Sequence, residues 1–167
     1  MVLVSAGDHH RGAWRAHAPG GAARGRGAVD HDPRAMRARI VVDGMNVIGS
    51  RPDGWWRDRR AAMTRLVAGL EAYAAATGER VAVVLDGRAF PIEHSAVEVR
   101  FAERPGPNAA DDAIVEDLES RGDEPAPTVV TSDAGLAERA RALGAEVLGA
   151  GAFRRELDAA TGAPSGD

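Results

Sequence analysis

The sequence predicts an α/β fold, a three-layer sandwich around a mainly parallel central sheet. Three observations carry that expectation. Ile40-Val41-Val42-Asp43, Val81-Ala82-Val83-Val84-Leu85-Asp86 and Thr128-Val129-Val130-Thr131-Ser132-Asp133 are short runs rich in β-branched residues, as in strands buried on both faces. Segments of helical period separate them, which is the rhythm of βαβ units. Each run also ends in an aspartate. Parallel strands share one carboxyl-terminal edge, where α/β proteins place their sites, so the three acids are expected together.

Taken in order, the first strand spans about Arg39–Asp43. A Gly/Pro loop through Ser50-Arg51-Pro52-Asp53-Gly54 follows. The next helix is expected over Trp55–Thr77, with Met63, Leu66, Val67, Leu70, Tyr73 and Ala74 on one face and Gly78 as its cap. Arg80–Asp86 is the second strand. Ala96–Phe101 alternates polar and apolar, as a strand near the sheet edge does. Asn108 reads as a helix N-cap, with Asp111 completing a carboxylate capping box, and this helix runs to about Ser120. Thr128–Thr131 is a strand, Ala134–Leu143 a helix ended by Gly144, Glu146–Leu148 a short strand and Phe153–Ala160 the last helix.

At 167 residues the chain suits one domain. The folded part is expected over 38–162. Residues 1–37, rich in Gly, Arg, His and Pro, read as a disordered arm, and 163–167 as a frayed tail. Translation from Met36 is the preferred account of the arm; the sharper alternative is an RNA-touching segment built on Arg24-Gly25-Arg26-Gly27. The absence of cysteine excludes disulfides and thiolate-held zinc and mildly favours a reducing compartment. No apolar run is long enough to span a membrane, and Met1–Ala6 is too short for a secretory signal, so a cytoplasmic protein with no membrane partner is expected.

All 21 basic residues are arginine, which codon usage in a GC-rich genome explains better than nucleic-acid binding does. The net charge of -4 divides unevenly. Residues 1–37 hold six Arg and three Asp, or +3; the remaining 15 Arg and 22 acids give -7. An acidic body is not a general polyanion binder. It is compatible with a nuclease whose carboxylates hold a metal.

Asp43, in Val42-Asp43-Gly44-Met45-Asn46, ends the first strand, and taken alone the motif is only a strand-to-turn junction. Asp133 follows Thr131-Ser132, where a helix cap and a metal ligand with orienting hydroxyls are equally good readings. Asp111 and Asp112 open a helix, where the dipole favours acids. Asp111 lies on the face of Ile114 and Val115, turned toward the sheet, where an unpartnered carboxylate is costly. It is the better ligand of the two, with Asp112 close behind. Asp86 ends the second strand. The acids gain force in combination: carboxylates on one edge repel each other unless a cation, best an oxygen-liganded divalent metal, sits among them.

Together, Val41-Val42-Asp43-Gly44-Met45-Asn46-Val47-Ile48, Val84-Leu85-Asp86-Gly87, Ala110-Asp111-Asp112-Ala113-Ile114 and Val130-Thr131-Ser132-Asp133 resemble the NYN domain of the PIN-like nuclease superfamily, most closely its YacP-like branch. The resemblance covers about Arg39 to Ala160. It departs at Met45, where the family often has Tyr, and at the doubled Asp111-Asp112. It implies a PIN-like fold and a ribonuclease, endonucleolytic by expectation, using Mg²⁺ or Mn²⁺ held by Asp43, Asp111 and Asp133, with Asp112 and Asp86 as further ligands. Asn46 would pin the first loop or touch a phosphate, and Thr131 and Ser132 would support the ligands. The implied partners are RNA and the ribosome. Many relatives pair as homodimers, and no seam in this sequence fixes such an interface.

Cationic support for RNA is expected from Arg51, Arg57, Arg59, Arg60, Arg88 and Arg104. Trp55 and Trp56 could stack on bases, although at least one is expected to anchor its helix. A P-loop and a dinucleotide fingerprint are absent. The rival from another class is a non-catalytic RNA- or ribosome-binding module on the same fold.

Overall fold

The computed structural model describes residues 39–102, 106, 108–122 and 124–162. The expected arm, the tail and Arg104 lie outside these. In chain order the elements are β1 (Arg39–Asp43), α1 (Gly44–Gly49), a 3-10 turn (Trp55–Arg57), α2 (Arg59–Thr77), β2 (Arg80–Leu85), β3 (Glu98–Phe101), α3 (Ala109–Glu119), β4 (Thr128–Val130), α4 (Ala134–Ala142), β5 (Glu146–Leu148) and α5 (Ala150–Thr161).

All five strands are parallel, in the order β3-β2-β1-β4-β5. Their apolar runs are buried on both faces because each face carries helices. Val42 and Val83 face one core with Leu66, Leu70 and Phe153 of α2 and α5; Val41 and Val84 face the other with Ile114, Leu136 and Ala140 of α3 and α4. The period of two thus sends neighbouring valines to opposite layers. Strands are added outward from β1 on both sides, so the sheet changes direction between β1 and β4. Such a switch opens a crevice at the carboxyl ends of the two strands.

The chain reaches the edge strand β3 without a helix. Glu71 of α2 holds the approach: its carboxylate accepts the backbone N–H groups of Ser95 (2.8 Å), Ala96 (3.0 Å) and Val97 (2.8 Å) and the Ser95 hydroxyl. Burial opposes its charge, yet these donors take its pKa from 4.5 to about 2. At the opposite sheet end from the crevice, Arg39 binds both oxygens of Asp117 at 3.0 and 3.1 Å, with both residues buried.

Four expectations need correction. The stretch after β1 is not loop from the start: α1 forms there because Asp43 accepts the Asn46 N–H and caps it. The next helix begins at Arg59, capped by Asp58, with Trp55–Arg57 as a separate turn. The last helix begins at Ala150, three residues early. Asn108 makes no side-chain cap: its backbone is left-handed (φ 65°), not extended as a capping residue's is, and Asp86 just after β2 accepts the Ala110 N–H instead at 3.2 Å. Among the described residues, no helix is long and apolar enough to cross a membrane.

Candidate active site

At the carboxyl end of β1, Asp43 is only 4% exposed. Its Oδ1 accepts the Asn46 N–H at 3.1 Å and its Oδ2 accepts the Thr131 hydroxyl at 3.0 Å. Gly44 lets the start of α1 pack closely on β2: a Cβ at that position would lie 2.5 Å from Leu85 Cδ2 and 3.0 Å from the Val84 carbonyl oxygen. Burial raises the Asp43 pKa from 3.8 to about 6; the Asn46 and Thr131 bonds oppose the rise, and the nearby Asp111 and Asp86 add to it.

Asp133, at the end of the β4 run, accepts the Leu136 N–H at 2.8 Å and so caps α4. Thr131 serves both acids, because its hydroxyl also accepts the Asp133 N–H at 3.1 Å. Asn46 accepts the Ser132 N–H at 2.8 Å and ties α1 to the loop after β4. Ser132 Oγ accepts the Ala150 N–H at 3.0 Å and docks the start of α5. The three supporting residues expected from sequence are therefore joined in one network.

Asp111, in the first turn of α3, is half-buried. Its pKa is raised by burial and then by Asp133, Asp86 and Asp112, against a lowering by Arg139. Asp111 thus lies within electrostatic reach of Asp43, Asp86 and Asp133, and Asp43 within reach of Asp86, on one edge. Asp112 points outward, 57% exposed at its side chain, and pairs with Arg139 at 2.9 Å. Arg139 was not among the expected residues; with 27 positions between the partners, no local pattern marks it.

No three Asp, Glu, His or Cys side chains are close enough for a ready-made metal cage among the described residues. The donor set nevertheless fits Mg²⁺ or Mn²⁺. It is all oxygen, its charges repel each other, and Mg²⁺ keeps several waters and takes only one or two carboxylates directly. Asp86 and Asp133 each cap a helix through Oδ1, which leaves Oδ2 for that, whereas both oxygens of Asp43 already accept one hydrogen bond and would offer their second lone pairs.

The cationic residues divide by environment. Arg57, Arg59, Arg60 and Arg88 are exposed. Arg59 lies over the Trp55 ring at 6.0 Å and Arg60 over Phe90 at 5.0 Å. Arg51 is ion-paired with Asp158. Trp55 packs half-buried as an anchor, whereas Trp56 is 56% exposed. A hollow of about 560 Å³ beside α3 and β3 shares only Asp112 with the carboxylate group, so it is a neighbour of the crevice and not its interior.

Over residues 40–164 the sequence matches the YacP-like NYN domain. Two similar solved structures are crystal structures of Rae1 (YacP) from Bacillus subtilis. One is a tryptophan-to-leucine mutant (26% identity, TM-score 0.62, 74% of this chain and 77% of the other covered). The second has 27% identity and a TM-score of 0.61, with 73% and 74% covered. No curated protein sequence matches the chain.

Proposed function

Because this chain belongs to the YacP-like NYN domain family, a nuclease-type family, we propose that it is a divalent-metal-dependent ribonuclease. The observation that carries the reading is the group at the β1/β4 crevice: a buried Asp43 whose charge is opposed by burial and by Asp111 and Asp86. Capping α1 calls for one acceptor, which an uncharged Asn or Ser supplies as well; a buried ionised carboxylate beside other acids is what a cation-binding site calls for.

When bound, Mg²⁺ or Mn²⁺ supplies an acidified water and neutralises charge at the phosphate being cut. The chain's own residues do the rest. Asp43, Asp111 and Asp133 hold the cation, with Asp86 in support on one side and Asp112 on the rim. Thr131 and the Asn46 N–H fix the Asp43 carboxylate, so little reorganisation is needed when RNA arrives. Asn46 and Ser132 keep α1, the β4 end and α5 in register around it. Exposed arginines of the α1–α2 region and Arg88 offset the acidic edge for a polyanion. Hydrolysis of this kind leaves a 5′-phosphate and a 3′-hydroxyl.

The test is cleavage of RNA by purified protein with Mn²⁺ or Mg²⁺, and none with EDTA. Asp43→Asn and Asp133→Asn should each abolish it. Cleavage that survives both changes belongs to a contaminant. Binding without cleavage of any RNA would replace the enzyme by a binding module. Ribosome association and pairing of two copies are further parts of the proposal, read by co-sedimentation and by solution mass.

A further inference from the structure

A second charged centre lies between α2 and α5, on the layer opposite α3. Trp55, Arg65, Arg154, Asp53 and Asp158 line a hollow of about 130 Å³. Asp158 is 5% exposed and is claimed twice: by Arg51, and by Arg154 with Nε 3.6 Å from Oδ1. That separation exceeds a hydrogen bond, and the Arg154 Nε is buried with no partner. Arg65 has no ion pair or hydrogen bond among the described residues. Arg65 and Arg154 line the hollow, and Arg51 reaches Asp158 from outside the lining; the cluster thus sets three guanidiniums against two carboxylates, leaving one positive charge and unused N–H donors beside a small space. Burial and the proximity of Arg51 and Arg65 both press against the charge of Arg154, in part offset by Asp158 and Asp53.

We propose that this hollow binds a phosphate group of the RNA strand, at a nucleotide neighbouring the one that is cut. The inference rests on the ribonuclease reading and adds a subsite to it. Guanidiniums match phosphate oxygens with paired N–H donors, and an anion relieves the crowding of three like charges. At ~30 Å³ per water, the space takes about four waters, or a phosphate group with little else. Its placement joins it to the crevice. Ile48 of α1, the helix that Asp43 caps, forms part of the wall. Arg154 stands one turn, about 6 Å, along α5 from Ala150, whose N–H is bound by Ser132. A strand crossing the carboxylates passes over α1 toward Trp55 and this hollow.

The experiment measures binding of a short fluorescent oligouridylate to the full chain in EDTA, by anisotropy across a salt series, so that no cleavage is needed. Arg65→Gln and Arg154→Gln should each weaken binding about fivefold and flatten the slope of log K against log salt by about 0.7. Arg155→Gln removes the same charge from an exposed position on α5 outside the hollow and should change neither. Arg65 is exposed, so its variant remains informative if Arg154→Gln fails to fold. Unaltered affinity and slope in the folded Arg65 and Arg154 variants overturn the subsite and leave the nuclease reading standing. Equal losses in all three overturn it in favour of net charge alone. A wild-type protein that binds no RNA overturns both.

Discussion

Replacing Asp43 by Asn should make the metal-free protein more stable while making it inactive. The carboxylate is buried and its pKa stands at about 6 in place of 3.8. Two pKa units at ~1.4 kcal/mol each give a cost of about 3 kcal/mol for keeping it ionised in the fold. The sign follows from linkage: a carboxyl whose folded pKa is raised holds its proton better in the fold than in the unfolded chain. The cost is therefore absent below about pH 4, grows between pH 4 and 6, and is complete above. Asn keeps an oxygen for the Asn46 N–H. Its NH₂ meets a Thr131 hydroxyl that must then accept, which is possible because that oxygen has two lone pairs, one already used by the Asp133 N–H. Allowing for this rearrangement, the net gain is about 1–3 kcal/mol at pH 8. Urea unfolding in EDTA, of wild type and variant at pH 8 and at pH 4, reads it directly. The gain should vanish at the lower pH. With Mg²⁺ added, wild type alone should gain stability, by mass action on its site. A variant less stable than wild type at pH 8, or a difference that ignores pH, refutes the account of Asp43 as a strained, cation-seeking group.

Other predictions follow from named contacts. Gly44→Ala should cost about 1–3 kcal/mol and most of the activity, because its Cβ meets Leu85 and the Val84 carbonyl in a packed core; thermal unfolding and an RNA cleavage assay measure the two. Glu71→Gln should destabilise by about 1–2 kcal/mol at pH 7, after discounting for partial solvent exposure. Its depressed pKa gives wild type a stability that is full above about pH 4.5 and fades as pH falls toward 2, a slope that urea titrations of the variant should lack. Asn46→Ala should lower kcat more than it lowers stability, since the lost bond to the Ser132 N–H holds α1 against the loop after β4. Asp117→Ala should cost about 2–3 kcal/mol, because the buried Arg39 loses both of its bonds to Asp117 and keeps only the half-exposed Glu98 as a carboxylate partner, while a refolded sample keeps its metal affinity in calorimetry.

The strands and their terminal acids were legible because both signals are local: β-branched runs of four to six residues, each closed by Asp. The inward turn of Asp111 was legible from its spacing to Ile114 and Val115, and the structure separates it from the outward Asp112. Elements governed by contacts across the chain were not. Gly44-Met45-Asn46-Val47-Ile48-Gly49 contains poor helix formers and becomes α1 through one capping bond and burial of Val47 and Ile48. The start of α3 is set by Asp86, 24 positions away from Ala110, and not by the adjacent Asn108. Arg39 with Asp117, and Arg51 with Asp158, are separated by 78 and 107 positions, which leaves no periodic trace.

Asp43, Asp86 and Asp133 each also hold the first turn of a helix. That double duty shapes how such a protein can age. A mutation to an aliphatic residue would forfeit a helix start along with the chemistry, and selection for folding alone would remove it. Asn and Ser cap nearly as well as Asp but grip a cation poorly. On the proposed ribonuclease function, a descendant that lost cleavage while retaining its architecture should therefore betray the change by amides and hydroxyls at these three positions.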